Sequence, residues 1–284
     1  LDVKRTIFRQ LEAAQAPTTV LATNTSSLSI DDIVGEATTG HDAAFHGGLS
    51  PAMAHPGRVI GLHFFSPANV MRLLEIVPVP DSSDRTLATG FALARMLNKI
   101  PVQSGICEGF IGNRILKRYR TSAEALVRQG IAIADIDAAM RDYGLAMGPF
   151  EAQDLGGLDI AYLQREGARA AGQDVPETLG DVLVRAGRKG QKTGGGWYDY
   201  APGDRKPQPS AAVADLLAER ITTRAAMDRD AIARHLVAEM AAEGQAILDE
   251  GIAAKASDID LVEIHGYGFP RWRGGPMWAT GHRG

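Results

Sequence analysis

GLHFFSPANVMRLLEIVP, residues 61–78, holds two β-type runs separated by a turn, and the rest of the chain is read outward from it. The first run is Arg58-Val-Ile-Gly-Leu-His63, the turn is marked by Ser66-Pro67, and the second run is Leu73 to Val79, which carries Glu75. A histidine at one strand end and a carboxylate on the next strand can meet if the two strands are neighbours. A carboxylate that takes the proton of one ring nitrogen fixes the tautomer and leaves the other nitrogen free as a base. The same spacing also suits a strand-end histidine bonded to a backbone carbonyl, with Glu75 on a solvated face.

Upstream, Val3, Ile7, Leu11 and Ala14 recur at helical spacing over residues 2–15, which predicts an amphipathic helix stopped by Pro17. Thr18 to Thr23 follows as a short buried strand, and Asn24-Thr-Ser-Ser27 as a polar loop at its carboxyl end. That order is half of a parallel α/β unit, in which ligands sit beyond the strand carboxyl ends. The loop also fits helix capping, with Ser29 before Ile30-Asp31-Asp32. Residues 35–57 read as a long surface loop. Its histidines, His41, His46 and His55, match no metal-ligand spacing, so solvated side chains and no metal are expected. Downstream, Ser82–Asn98 reads as a helix with Leu87, Phe91, Ala94 and Leu97 on one face, and Pro101–Ser104 as a last strand.

From Gly109 onward the pattern is helical. A long helix is predicted over 110–129, with Ile111, Ile115, Tyr119 and Ala123 on one face and Asn113 in its first turn. An internal repeat follows: ALVRQGIA (125–132) matches AILDEGIA (246–253). Each copy continues with Asp-Ile-Asp (135–137, 258–260), Tyr-Gly (143–144, 267–268) and Gly-Pro (148–149, 275–276). GDRKPQP (203–209) reads as a linker between the copies. GRKGQKTGGGW (187–197) looks like a phosphate loop but lacks the Gly-Lys-Thr order and follows no strand, so a tight turn is predicted. No Gly-x-Gly-x-x-Gly occurs. The chain therefore divides into an α/β region (1–104), a helical region (105–200), a linker (201–224) and a second helical region (225–284).

The composition is that of a globular protein, 45% apolar and 23% charged over 284 residues. A net charge of −4 argues against a nucleic-acid binder or a membrane-surface protein, and no apolar run reaches the length of a membrane span. A single cysteine, Cys107, permits no internal disulfide and points to a reducing compartment.

Taken together, ATNTSSLSI (22–30), GLHFFSPANVMRLLEIV (61–77), GFIGNRI (109–115), MGPFEAQDLGGLD (147–159), GRKGQKTGGGWYDY (187–200) and GYGFPRWRGGP (266–276) resemble the L-3-hydroxyacyl-CoA dehydrogenases. The likeness is strongest to the dehydrogenase portion of multifunctional fatty-acid β-oxidation proteins. It implies the C-terminal portion of a Rossmann-type NAD-binding domain, followed by two repeated all-α C-terminal domains. It also implies NAD-dependent oxidation of an L-3-hydroxyacyl-CoA to the 3-oxoacyl-CoA. In that reading His63 is the general base and Glu75 its orienting partner. Ser26 and Asn113 bond the substrate oxygen, while Asn24 and Ser66 belong to the cofactor side. An acyl-CoA substrate, a homo-oligomer, a possible 3-ketoacyl-CoA thiolase partner and a bacterial cytoplasmic location complete the expectation.

The chain departs from the family pattern at Ser66, where Asn is common, at Gly112, where an aliphatic residue is usual, and in the longer 35–57 loop. Both ends look cut, and the glycine fingerprint expected before Leu1 is absent from this sequence. These 284 residues alone are therefore expected to bind NAD poorly. Two other readings stand beside the first: a β-hydroxyacid dehydrogenase acting on a free acid, and a catalytically silent dimerisation module.

Overall fold

The computed structural model describes residues 1–26, 29–35, 53–223 and 225–282, so His41, His46 and most of the 35–57 loop lie outside the described residues. The described α/β region contains helix α1 (Asp2–Ala14), strand β1 (Leu21–Thr23), the short helix α2 (Asp31–Val34), strands β2 (Val59–Phe64) and β3 (Leu73–Pro78), helix α3 (Asp84–Met96) and strand β4 (Ile100–Gln103). The strands form one sheet in the order β1-β2-β3-β4. β1 and β2 run parallel, β2 and β3 antiparallel, and β3 and β4 parallel. The short turn after Phe64 forces the antiparallel pair, whereas the helical crossover α3 returns the chain parallel.

β2 and β3 read as near-continuous apolar runs because both faces of the sheet are covered. Ile60, Leu62, Leu74 and Ile76 point to the face covered by α3, through Leu87, Phe91 and Ala94. Val59, Val77 and Val79 point to the other face, with Ile30, Ile33 and Phe110. By strand alternation His63 and Glu75 belong to this second face. Gly61 lies there too; a Cβ on it would stand 2.2 Å from Ile30 Cδ1.

The stripe predicted on α1 is not the buried one. Val3, Ile7 and Leu11 are exposed, and Phe8 is the residue that enters the core. The spacing of apolar residues located the helix but not the side it packs on. Arg5 and Glu12 help to fix the packed side instead. Arg5 Nε donates to Asp32 O at 2.6 Å, and the Glu12 carboxylate accepts from His55 N at 2.9 Å.

The helical region comprises α4 (Gly112–Arg128), α5 (Ile133–Tyr143), α6 (Pro149–Gly156), α7 (Asp159–Ala170), α8 (Leu179–Arg185), α9 (Ala211–Leu217), α10 (Arg229–Asp249), α11 (Ala256–Gly266) and α12 (Pro276–Ala279). The stretch 201–224, expected to be a linker, contains α9, whose Val213 and Leu217 are buried at a spacing of four. The prolines and charges of 203–209 end before that apolar pair begins.

Two compact units result: residues 1–116 with 240–284, and residues 117–239. In the second, Asp154 gathers the glycine-rich stretch. Its carboxylate accepts from Trp197 N at 2.9 Å, Tyr198 N at 3.0 Å and Tyr200 Oη at 3.0 Å. A Cβ on Gly196 would lie 1.9 Å from Asp154 Oδ1, so the glycine lets the backbone close on the acid. Burial pushes this carboxyl up to about 6, against the pull of the three donors. In the first unit, α11 packs against β3 and β4, and Gly105 N donates to Ile252 O at 2.7 Å.

Candidate active site

His63 and Glu75 are directly opposed across the antiparallel β2–β3 pair. His63 Nδ1 lies 2.6 Å from Glu75 Oε2, and both side chains are buried. A carboxylate at that distance holds the proton on Nδ1, which leaves Nε2 with its lone pair free. Glu75 Oε1 accepts from Gly112 N at 3.0 Å, so each carboxylate oxygen has a partner despite zero exposure. This second bond ties the start of α4 to the His63–Glu75 pair.

The chain reaches that position through two consecutive left-handed residues, Gly109 at φ 83° and Phe110 at φ 51°. For phenylalanine this conformation costs on the order of 1 kcal/mol or more. It places the Phe110 ring 5.6 Å from the His63 ring, while Phe65 approaches from 4.5 Å. The imidazole thus stands between two aromatic walls that restrict its rotation.

Asn113, half-buried, follows Gly112 in the first turn of α4. Its Oδ1 accepts from Tyr267 Oη at 2.8 Å. The glycine at 112 now has a physical cause. A Cβ there would stand 2.3 Å from Tyr267 Cε2, so the ring can lie on α4 only because position 112 has no side chain.

Asn24 sits just beyond β1, and its Oδ1 accepts from Phe64 N at 3.3 Å, next to His63. The Lys4 ammonium donates to Thr23 Oγ1 and to Asn24 O, which holds the end of β1 to α1. Ser26 and Ser66 are exposed, on the loop after β1 and the turn after β2, and neither side chain bonds another described residue. The structure therefore brings together His63, Glu75, Asn24 and the Gly112–Asn113 turn, and leaves the two serines at the rim.

Two residues escape a reading by local pattern. Tyr267 stands 154 positions from Asn113, and only its place in GYGFPRWRGGP marks it. Glu263 lies in α11 between buried Val262 and half-buried Ile264, is itself buried, and leaves Oε1 without a hydrogen bond. Burial first, then the charges of Glu75 and Asp260, raise its carboxyl well above the usual carboxylate range.

The sequence matches the 3-hydroxyacyl-CoA dehydrogenase NAD-binding domain over residues 1–107 and the C-terminal domain of the same family over residues 109–200. It is 38% identical to a peroxisomal bifunctional enzyme of Danio rerio, covering 98% of this chain and 39% of that protein. A fatty acid oxidation complex subunit alpha of Vibrio cholerae is 36% identical, over 98% of this chain and 37% of the relative. The chain thus spans under two fifths of the length of these curated relatives. Among solved structures, a 3-hydroxybutyryl-CoA dehydrogenase from Escherichia coli superposes with a TM-score of 0.73 at 27% identity, over 96% of this chain and 71% of that one. With both family domains matched in order, and with the strand pair and helical region folded as described, this chain belongs to the 3-hydroxyacyl-CoA dehydrogenase family.

Proposed function

We propose that this chain carries the dehydrogenase site of a fatty-acid β-oxidation protein, which oxidises an L-3-hydroxyacyl-CoA to the 3-oxoacyl-CoA. The observation that carries the reading is the buried 2.6 Å contact between His63 Nδ1 and Glu75. Nε2 of His63 takes the proton of the 3-hydroxyl as the C3–H bond breaks and the C–O bond becomes a carbonyl. NAD, when bound, supplies the acceptor for the hydride. Glu75 stabilises the imidazolium that forms, so proton transfer does not strand a charge between Phe65 and Phe110. Asn113 and Ser26 offer hydrogen bonds to the reacting oxygen, where charge changes most in the transition state.

The residues present fit the nicotinamide end of the cofactor. Asn24 stands at the carboxyl end of β1 beside the parallel strand β2, the crevice in which such sheets hold ligands. With Oδ1 engaged by Phe64 N, its Nδ2 remains as a donor toward that crevice. Ser66 adds a hydroxyl at the same rim. Assay of the full-length protein with NAD separates this reading from a free-acid dehydrogenase. Turnover is expected with an L-3-hydroxyacyl-CoA and not with the matching 3-hydroxy acid, and equal turnover of both would refute the thioester reading. A homo-oligomer, a thiolase partner and a bacterial cytoplasmic location belong to the same proposal and rest on the family resemblance; the relatives include peroxisomal proteins beside the bacterial one.

The two helical stretches are read as one duplicated module, with 105–200 and 225–284 as copies that follow the α/β region (1–104). The support is local geometry repeated at matching positions. Asp137 accepts from Phe150 N at 2.9 Å and Glu151 N at 3.1 Å, and Asp260 accepts from Met277 N at 2.8 Å and Trp278 N at 3.2 Å. Each acid caps a helix that opens Gly-Pro, and a Cβ on Gly148 or on Gly275 would stand 2.2 Å from its acid. Burial raises Asp137 to about 7 and Asp260 to about 6. Asp137→Ala and Asp260→Ala each strand two backbone donors, at a cost of about 2–6 kcal/mol, and Asp137→Ala also strands the Tyr198 hydroxyl, which donates to Asp137 at 2.7 Å. Thermal unfolding should show a large loss for both, the larger for Asp137→Ala; a neutral Asp260→Ala would remove the equivalence.

A further inference from the structure

The best-supported unassigned feature at this site is the phenol of Tyr267. We infer that Tyr267 is a positioning residue for the oxidation step: its hydroxyl fixes the Asn113 side-chain amide so that Nδ2 faces the reacting oxygen. The inference rests on the reading of Asn113 as a substrate-oxygen donor.

Three observations lead to it. The Tyr267 ring is seated edge-on against Phe65, 5.5 Å between centroids at 82°, and Phe65 is also the nearer aromatic wall of His63. That packing accounts for an aromatic ring at 267 but not for its hydroxyl, which donates to Asn113 Oδ1 at 2.8 Å. Next, two glycines open the space. A Cβ on Gly112 would stand 2.3 Å from the ring, and one on Gly266 would stand 2.6 Å from Leu73 Cδ2. The end of α11 is thereby pressed against β3 and the start of α4, and the phenol oxygen has little freedom to move. Last, Nδ2 of Asn113 makes no hydrogen bond among the described residues, so it is the donor left for a ligand.

A primary amide can present either its oxygen or its nitrogen, and only the nitrogen helps an oxygen that carries negative charge. A hydroxyl fixed on Oδ1 decides between the two orientations before substrate arrives. Donors oriented in advance are worth more than donors that must turn during the reaction. The ε-nitrogen of His63 and Nδ2 of Asn113 would then act on one oxygen from two rigid supports, β2 and α4. Tyr267 touches neither the hydroxyl nor the hydride; it acts through Asn113.

The test is a double-mutant cycle in the full-length protein, assayed with NAD and an L-3-hydroxyacyl-CoA. Tyr267→Phe keeps the ring and its packing and removes one part-buried hydrogen bond, so the unfolding midpoint should fall by no more than a few degrees. Its kcat should fall about tenfold, the worth of one oriented neutral hydrogen bond, with KM for the acyl-CoA changed by less than about twofold. Asn113→Ala should lower kcat about 100-fold, as loss of a transition-state donor does. In that background Tyr267→Phe should cost nothing further. A full further loss there, or an unimpaired Tyr267→Phe beside a crippled Asn113→Ala, overturns the inference and leaves the Asn113 reading intact. An unimpaired Asn113→Ala removes that reading, and the inference falls with it.

Discussion

In the full-length protein, His63→Gln is expected to lower kcat at least ~100-fold, the low end for loss of a general base, while acyl-CoA binding changes little. Glutamine can still donate toward Glu75, so the buried carboxylate keeps a partner and the strand pair stays intact. It has no basic nitrogen where Nε2 stood, and the hydroxyl proton has nowhere to go. Glu75→Gln separates the partner's two duties. The two oxygens of Glu75 accept from His63 Nδ1 and from Gly112 N, and a glutamine offers one acceptor in place of two. One buried donor then faces an NH2, which costs about 1–3 kcal/mol of stability. The imidazole also loses the charge that steadies its protonated form, so kcat falls as well. A His63→Gln enzyme with parental kcat would end the assignment of the base.

The strand pair was legible because β2 and β3 are nearly unbroken apolar runs on either side of a Ser-Pro turn, and a twelve-residue spacing suits a short antiparallel connection. Ile115, Tyr119 and Ala123 likewise announced the buried face of α4, and all three are buried, as is Ile111 just before the helix. The packed side of α1 was not legible. Its apolar stripe and its core contact differ, since Phe8 lies off the stripe and the polar bonds of Arg5 and Glu12 help to set the rotation. α9 was hidden by the proline-rich residues before it. At the site, His63, Glu75 and Asn113 could be named from resemblance. Gly112 stood out there only as a departure from the usual aliphatic residue, and a sequence cannot show that a ring from 155 positions later needs the space. Long-range packing of that kind leaves no periodic trace. Ser26 and Ser66 remain at the rim, with roles that rest on the family pattern.

Glu263 gives the remaining large effect, and its sign is fixed by burial. A carboxyl in an unfolded chain titrates near ~4.3, whereas the folded protein raises Glu263 well above that value, through burial and the nearby charges of Glu75 and Asp260. Asp260 shifts the same way, to about 6. A raised folded value means that the folded state binds the proton more tightly. The resulting stability is fully present below the unfolded value and is lost as pH rises through the folded one. Each pH unit crossed between the two costs about 1.4 kcal/mol per group. Glu263→Gln keeps the shape and cannot ionise. Its unfolding midpoint should match the parent below the unfolded value and exceed it at higher pH, with the gap opening as pH rises above that value. The activity of the variant should survive, because a glutamine there sets no charge against Glu75. An ionised Glu263 would set a second negative charge against the carboxylate that orients His63, which is one cause of its raised value. Melting curves of parent and variant that stay parallel from pH 4.5 to 8 would show that Glu263 carries its charge in the folded protein and that a partner for Oε1 exists.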